Sequence, residues 1–279
     1  MACLLTAFFV FYSLGVIFVL GVFYLAPRPP GFGWPHKARR LRSFFFECLA
    51  AWPTQLLLAP MALFWPPWWH KGQGRPILLL HGYGQTRGDF WLLAWRLRRR
   101  LGRPLFAVDY SFFALPEDCA GPVQRSIDRI CSQTGQDSID MICHSYGGIV
   151  ARHVIERKGC RKVRRLFFVA TPHNGTWWAN LGPGPSSPAM QPASQYLVEL
   201  GPPHPPEETT YLAAWSLADA VVSPPDSASI LGAGPQKVVD DLGHLSLLFS
   251  PRITDWIIQG LCEQKYDGED CQGQDMHLS

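Results

Sequence analysis

The chain has 279 residues, of which 47% are hydrophobic and 17% charged, and its formal net charge is +3. This length allows one large domain with an additional segment, and the small charge does not indicate a nucleic-acid-binding surface. No zinc-finger, helix-turn-helix or aromatic–basic pattern is present, so a nucleic-acid partner is not expected.

The eight cysteines are scattered and form no Cys-x-x-Cys pair, which disfavours a redox or metal motif. No carboxylate cluster has the spacing of a calcium site, so we expect no metal and no cofactor. Cys262 and Cys271 would be able to pair in an oxidising compartment, and free thiols are the alternative.

The chain begins with an uncharged apolar run, Leu4 to Leu25, which is long enough to cross a bilayer. No basic residue precedes it, the apolar core is too long for a typical signal peptide, and the bulky Tyr24 disfavours cleavage after Ala26. We therefore predict an uncleaved transmembrane anchor over residues 1–26 and a membrane localisation.

Residues 27–74 combine a basic linker with a second apolar stretch, Phe44 to Trp69, which contains one glutamate and four prolines. The positive-inside tendency keeps the linker in the cytoplasm. Three arrangements remain open for the apolar stretch: a second membrane span, a segment in the membrane interface, or a flap on the main domain. The first would place the main domain outside the cytoplasm, and the second would keep it inside.

Residues 75–264 alternate short apolar runs with amphipathic segments, which predicts an α/β domain with a mostly parallel sheet and helices on both faces. Ligands of such sheets bind at the carboxyl ends of the strands. The predicted strands lie within 75–84, 104–110, 139–144, 163–170, 211–215 and 237–239. The predicted helices are 87–101, 122–132, a helix that follows residue 148, and 245–261.

Two segments depart from this alternation. Residues 177–206 are rich in Gly, Pro and Ser, and we predict that they form a short cap over the strand ends. Residues 265–279 are an acidic tail that we expect to be frayed.

A turn with Ser145 at its apex lies between the third apolar strand and a helical segment that starts near Ile149. A strained strand-to-helix turn that exposes a serine is a nucleophile elbow, and its two arms nearly touch, so it needs small residues. Gly147 and Gly148 meet this need, whereas Cys143 replaces the first glycine of the usual Gly-x-Ser-x-Gly pattern. A glycine-rich loop at a helix start is the alternative interpretation.

A serine hydroxyl needs a base, and the base needs a carboxylate that fixes its tautomer; after an elbow these follow in the order acid, histidine. His244 lies between the last strand and the closing helix, and we predict that it is the base. The other histidines downstream lie in the elbow helix, at a strand end, in the cap and in the tail: His153, His173, His204 and His277.

Asp219 is the predicted acid, because it closely follows the strand 211–215 and the valine pair beyond it can anchor its loop. The alternatives are Asp226, Asp240 and Asp241, for which turn or capping roles are the competing interpretation.

The oxyanion of acyl transfer requires backbone donors. We predict the N–H groups of Tyr146, directly after the nucleophile, and of Tyr83, in a turn that Gly82 and Gly84 allow to point inward. His81 is predicted to brace this turn.

Five motifs occur in one order: His81-Gly82-Tyr83-Gly84, Cys143-His144-Ser145-Tyr146-Gly147-Gly148, Thr171-Pro172-His173-Asn174-Gly175-Thr176, Asp219, and Gly243-His244. In this combination the chain resembles the α/β-hydrolase superfamily, and within it the bacterial lipase/esterase-like group, over roughly Arg75 to Leu261. The resemblance implies a serine-dependent carboxylic ester hydrolase. Its triad would be Ser145, Asp219 and His244, and its oxyanion hole the N–H groups of Tyr83 and Tyr146.

The sequence thus predicts a membrane-anchored serine hydrolase that acts on lipid or acyl-ester substrates through an acyl-enzyme on Ser145. An acyltransferase, a thioesterase or an amidase remains open, because all of them share the tetrahedral intermediate. A non-enzymatic binding protein is the third interpretation, and the complete set of Ser145, Asp219 and His244 argues against it.

Overall fold

The computed structural model describes residues 2–28, 33–54, 68–69 and 72–263. Its central feature is a seven-stranded sheet with the order β1-β3-β2-β4-β5-β6-β7, in which β2 to β7 are parallel and β1 pairs antiparallel with β3. The strands are β1 (Trp68–Trp69), β2 (Ile77–Leu80), β3 (Leu105–Val108), β4 (Ile139–His144), β5 (Val163–Val169), β6 (Thr210–Ser216) and β7 (Gln236–Val239).

Helices cover both faces of the sheet, and two more form a hairpin at the N-terminus. They are α1 (Ala2–Leu25), α2 (Lys37–Pro53), α3 (Trp91–Leu101), α4 (Pro116–Thr134), α5 (Tyr146–Arg152), α6 (Ser186–Ala189), α7 (Gln195–Leu200), α8 (Ser246–Phe249) and α9 (Pro251–Cys262). Helix α5 continues as one π-helical turn, His153–Arg157.

The central strands consist mainly of apolar residues because both of their faces are covered. All residues of β2 and β4 are buried. One core cluster contains residues of α4 and α5, such as Ile127 and Val150, and the other contains residues of α3 and α9, such as Leu97 and Ile257. The predicted α/β class and parallel sheet are confirmed.

The strand order reverses beside β2, whose neighbours are β3 on one side and β4 on the other. Connections that leave such a point in opposite directions open a crevice at the carboxyl ends of the two strands. Here β2 leads into His81 and Gly82, and β4 leads into Ser145, so the fold places these two motifs at the crevice.

Two predicted helices have different bounds. Helix α4 begins at Pro116, six residues before the predicted start, because a proline in the first turn followed by Glu117 and Asp118 suits a helix N-terminus. Pro122 lies inside this helix. The predicted closing helix 245–261 is divided into α8 and α9, since Ser250 is extended and Pro251 begins α9.

The segment predicted as a cap connects β5 to β6 and contains α6 and α7. Its contacts reach the loops above the sheet: the Ser186 hydroxyl donates to the carbonyl of Phe112 at 2.6 Å. The acidic tail 265–279 and Cys271 lie outside the described residues, so the fraying and the pairing of Cys262 with Cys271 stay predictions.

The transmembrane anchor predicted for residues 1–26 is not supported. Within the described part of the chain, no helix has both the length and the apolar character that crossing a membrane requires. The C-terminal part of α1 contacts other segments of the chain: Tyr24 is buried and stacks on Trp34, and the Phe23 ring lies 4.3 Å from that of Trp178.

The described portion of residues 44–69, for which the sequence leaves three arrangements open, contacts the main domain. Helix α2 packs on α1 and on α8, and Trp68–Trp69 adds an antiparallel edge strand to the sheet. Arg39 and Arg42 of the basic linker form ion pairs with Asp240 and Asp241. Residues 55–67, including Trp65, lie outside the described chain.

Candidate active site

Ser145 occupies the apex of a sharp turn between β4 and α5. Its φ of 53° and ψ of −123° lie in a region that residues with a Cβ rarely adopt. The turn is held because the Ser145 N–H donates to the carbonyl of Val169 at 2.9 Å. Strain of this kind persists only where the surroundings enforce it, and it is common at functional sites.

Gly147 is required by the close approach of the elbow to β2. A Cβ at Gly147 would lie 2.6 Å from the carbonyl oxygens of both Leu80 and His81, so any side chain there would force backbone apart. Gly148 is similarly enclosed by Thr171. The predicted need for small residues after the serine is therefore explained by two specific contacts.

Cys143, in place of the usual first glycine, does not prevent the elbow. It forms part of β4, aligned with Leu80 and Phe168 of the neighbouring strands, and its side chain is fully buried in the core. Burial raises the pKa of its thiol well above the ordinary value, so the group is a neutral packing element.

The structure brings His244 and Asp219 together. The His244 Nδ1–H lies 2.8 Å from Asp219 Oδ2, and both side chains are almost completely buried. Asp219 follows β6 and His244 follows β7, so neighbouring strands deliver the two loops to one edge of the sheet.

The second carboxylate oxygen fixes the acid in place. Asp219 Oδ1 accepts the backbone N–H groups of Val221 and Val222 at 2.8 and 2.9 Å. The sequence suggested that the valine pair anchors the loop of Asp219. In the structure, the backbone N–H groups of the two valines hold the carboxylate. The alternative candidates for the acid have other contacts. Asp240 and Asp241 form ion pairs with arginines, and Asp226 is exposed in a short helical turn.

The pKa of His244 is raised above its ordinary value. Burial by itself lowers it, but the charge and hydrogen bond of Asp219 raise it, and the charge of Glu47 adds to this effect. The site therefore stabilises an imidazolium, the form that a histidine takes when it has accepted a proton from an alcohol.

Ser145 follows β4 and His244 follows β7, so both lie at the edge of the sheet where the parallel strands end. His144, the residue before Ser145, has its ring centroid 4.6 Å from that of His244, and its Nε2 lies 3.1 Å from the His244 carbonyl oxygen. The side chains of Ser145 and His244, both of which the structure describes, do not form a hydrogen bond with each other. Such bonds are often long without substrate and shorten when it binds.

The turn after β2 packs directly against the elbow. A Cβ on Gly82 would lie 2.9 Å from Ser145 Cβ, so this turn can approach the serine only with glycine at that position. The next residue, Tyr83, has its hydroxyl 2.5 Å from the Pro183 carbonyl of the cap. The Tyr146 N–H is at the first position of α5 and thus has no acceptor within the helix.

His81 braces this turn, as predicted. Its ring stacks on Tyr110 at 4.3 Å, and its Nδ1 lies 3.0 Å from the Gly82 carbonyl oxygen. Burial lowers the pKa of His81 to about 4, so the ring is neutral at physiological pH.

The other described histidines downstream of Ser145 do not contact Asp219. His153 contacts the Tyr196 hydroxyl at 2.9 Å, and His204 is exposed. His173 is buried edge-on against Phe168, and neither of its ring nitrogens has a hydrogen-bond partner among the described residues. His277 lies outside the described residues.

Gln85 was not identified from the sequence. Its Oε1 accepts the Gly82 N–H at 2.7 Å and lies 2.7 Å from His144 Nδ1, so it joins the turn after β2 to the elbow strand. A glutamine after a glycine turn has no local signature, and only the packing reveals it.

The chain is similar in fold to several proteins of known structure. A family described as a domain of unknown function (DUF7379) matches residues 55–182. The mature form of Bacillus licheniformis lipase BlEst2 superposes with a TM-score of 0.60 at 15% identity, over 70% of this chain and 95% of that one. Aspergillus fumigatus lipase B gives 0.59 at 14% identity, over 68% and 52%. A lin2722 product of Listeria innocua gives 0.53 at 16%, over 70% and 96%.

The chain has the α/β-hydrolase fold. This confirms the predicted fold, and the solved structures that share it include a bacterial lipase and a bacterial esterase. At these identities the likeness extends to the fold.

Replacing Gly147 with alanine is expected to destroy the elbow. The new methyl group would overlap two backbone carbonyls, which cannot move without displacing β2, so we expect unfolding to become easier by about 3 kcal/mol. Thermal unfolding measures this effect. Gly121→Ala in α4 is the matched control, because a Cβ there meets only the flexible Arg125 side chain at 3.4 Å. Equal stability of the two variants would contradict the packing argument.

Proposed function

We propose that the chain is a serine hydrolase that cleaves carboxylic esters through an acyl-enzyme on Ser145. The observation that carries the proposal is the buried Asp219–His244 pair at the sheet edge where a positive-φ turn presents Ser145. The ordered motifs and the lipase fold of the structural neighbours support it.

In the proposed reaction, Ser145 Oγ attacks the ester carbonyl carbon while His244 Nε2 takes the hydroxyl proton. The carbonyl oxygen becomes an oxyanion and accepts the N–H groups of Tyr83 and Tyr146. The tetrahedral intermediate expels the alcohol, which receives the proton from His244. Water then attacks the acyl-enzyme by the same steps in reverse, which releases the acid and restores Ser145.

An apolar acyl group is the substrate part that the surroundings favour. The Tyr83 ring packs edge-on against Phe112, and its centroid lies 6.2 Å from that of Phe113. Phe113 is partly exposed and contacts Gly184 of the cap. This aromatic lining beside the proposed oxyanion hole suits the acyl chain of a lipid or another acyl ester.

The proposal is tested with a fluorophosphonate probe and a matched substrate panel. Mass spectrometry is expected to find the phosphonyl group on Ser145, and p-nitrophenyl esters of increasing acyl length are expected to be hydrolysed. Thioester, amide and alcohol-acceptor versions of the best acyl group separate an esterase from a thioesterase, an amidase and an acyltransferase. The proposal fails if the wild-type chain neither reacts with the probe nor hydrolyses any substrate of the panel. That result would favour a non-enzymatic binding protein.

We also propose that the α1–α2 hairpin associates with a lipid surface without spanning it. Two apolar stripes stay exposed at helical spacing, with Phe18 72%, Leu25 80% and Leu41 69% exposed. Lys37 and Arg40 at the start of α2 add positive charge that suits anionic headgroups. The stripes consist of Leu14, Phe18, Val22 and Leu25 on α1, and Leu41, Phe45, Leu49 and Trp52 on α2.

A double variant, Phe18→Ser with Phe45→Ser, is expected to bind phosphatidylserine-containing vesicles at least about tenfold more weakly, because each ring contributes a few kcal/mol of apolar burial. Co-sedimentation with vesicles measures this binding. The control is Leu231→Ser, which removes a side chain that is 90% exposed outside the hairpin. Binding that is unchanged in the double variant would refute the lipid contact.

A further inference from the structure

The α1–α2 hairpin contacts both loops that carry the proposed acid and base, although it lies outside the part of the chain that resembles hydrolases. Its contacts are made to the backbone of these loops. Glu47 of α2 is completely buried, an unusual position for a carboxylate, which burial destabilises unless hydrogen bonds compensate.

Glu47 holds the histidine loop. Its Oε1 accepts the backbone N–H of Leu245 at 2.7 Å, and its Oε2 accepts that of Ser246 at 3.0 Å. These are the two residues directly after His244. The residue directly before it, Gly243, has no room for a Cβ, which would overlap the Glu47 carboxylate and the Tyr24 hydroxyl. The hairpin therefore contacts the residues directly before and directly after His244.

The same hairpin holds the acid loop. The guanidinium of Arg28 donates to the carbonyl oxygens of Leu217 and Asp219, each at 2.7 Å. The carbonyl between them, that of Ala218, accepts the hydroxyl of the buried Ser43 at 3.2 Å. Three consecutive carbonyls, including that of Asp219 itself, are thus bound by residues of the hairpin and its connection.

We propose that the α1–α2 hairpin is a positioning element of the active site, in which Glu47 and Arg28 fix the relative position of His244 and Asp219. The inference rests on the proposed function, since it concerns the same base and acid. Neither residue touches substrate; each acts through the loop that it holds. A displacement of about 1 Å in such a pair costs on the order of a hundredfold in rate.

Glu47→Gln tests this role, because glutamine keeps the size of the side chain but replaces one acceptor oxygen with an NH₂ group that faces a backbone N–H. We expect kcat for a p-nitrophenyl ester to fall about ten- to a hundredfold, while KM changes little because the substrate contacts remain. Ala38→Gln is the matched control: it places a glutamine on the same helix, at an exposed position outside the two apolar stripes.

The rate of fluorophosphonate labelling separates positioning from loss of folded protein. A misplaced base slows the labelling of Ser145 in every molecule, whereas partial unfolding lowers the final extent of labelling and leaves the rate constant unchanged. We expect the labelling rate of Glu47→Gln to fall with kcat and the extent to stay complete. If this variant does not fold, Arg28→Gln, at a partly exposed side chain, decides by the same measurements.

A folded Glu47→Gln or Arg28→Gln enzyme with wild-type kcat and labelling rate would overturn the inference while the proposed function stands. A wild-type chain without esterase activity and without labelling at Ser145 would overturn the proposed function, and this inference with it.

Discussion

Ser145→Ala is expected to abolish ester hydrolysis, with kcat lower by a factor on the order of 10⁵ to 10⁶. In the proposed mechanism the acyl-enzyme forms on Ser145 Oγ, the hydroxyl at the apex of the elbow. The fold is expected to persist, because alanine has the same Cβ as serine and adds no new strain at φ 53°. Initial rates with a p-nitrophenyl ester measure the loss of activity, and the thermal unfolding midpoint measures whether the fold persists.

Ser126→Ala is the matched control for this substitution. The Ser126 hydroxyl is exposed on α4 and donates only to the carbonyl of Pro122 in its own helix. We expect wild-type rates from this variant. Full activity in Ser145→Ala would show that the ester bond is broken elsewhere on the chain, and the proposed mechanism would have to be abandoned.

Asp219→Asn is expected to lower kcat about 10⁴-fold while the substrate still binds. An amide NH₂ at this position favours the wrong histidine tautomer, in which the nitrogen that should face Ser145 carries the proton. The backbone N–H groups of Val221 and Val222 still find a carbonyl acceptor, so the loop is expected to keep its conformation. Steady-state kinetics measure kcat and KM separately.

The pH profile gives a second readout of the same variant. His244 must be neutral to accept the serine proton, so activity rises with pH through the pKa of His244, which lies above its ordinary value because of Asp219 and Glu47. Without the Asp219 charge this pKa falls, so the residual activity of the variant should rise at lower pH than that of wild type. An acid limb that stays in place, or moves to higher pH, would contradict the assignment of His244 as the base.

The α/β class could be predicted from the sequence because its signals are local. Strand β2 is apolar throughout and β4 has three consecutive apolar residues at its centre, since both faces of the sheet are covered, and glycines lie in the turns after both strands. Candidate site residues could be selected because each follows a strand. The start of α4 was misplaced because Pro122 was taken as a helix start, whereas Pro116 takes that position and the helix continues through Pro122.

For the N-terminal region, the structure adds contacts that composition cannot show. The transmembrane anchor predicted for residues 1–26 rests on an apolar run, which has the same appearance whether it faces lipid or protein. The contacts of Tyr24 with Trp34 and Ser43 depend on residues that follow α1 in the chain. Glu47 was seen as an interruption of an apolar stretch, yet its carboxyl oxygens bind backbone almost 200 residues away.

The residues that follow each strand can be identified from the chain alone, because the alternation of apolar runs and glycine turns is a local pattern. Three contacts follow from the folded structure instead: Asp219 and His244 lie 2.8 Å apart, Gly82 lies against Ser145, and the hairpin binds the loops of both the acid and the base. Packing between distant segments sets the strand order and the docking of the helices, and no local pattern encodes the distance between two side chains that this packing brings together.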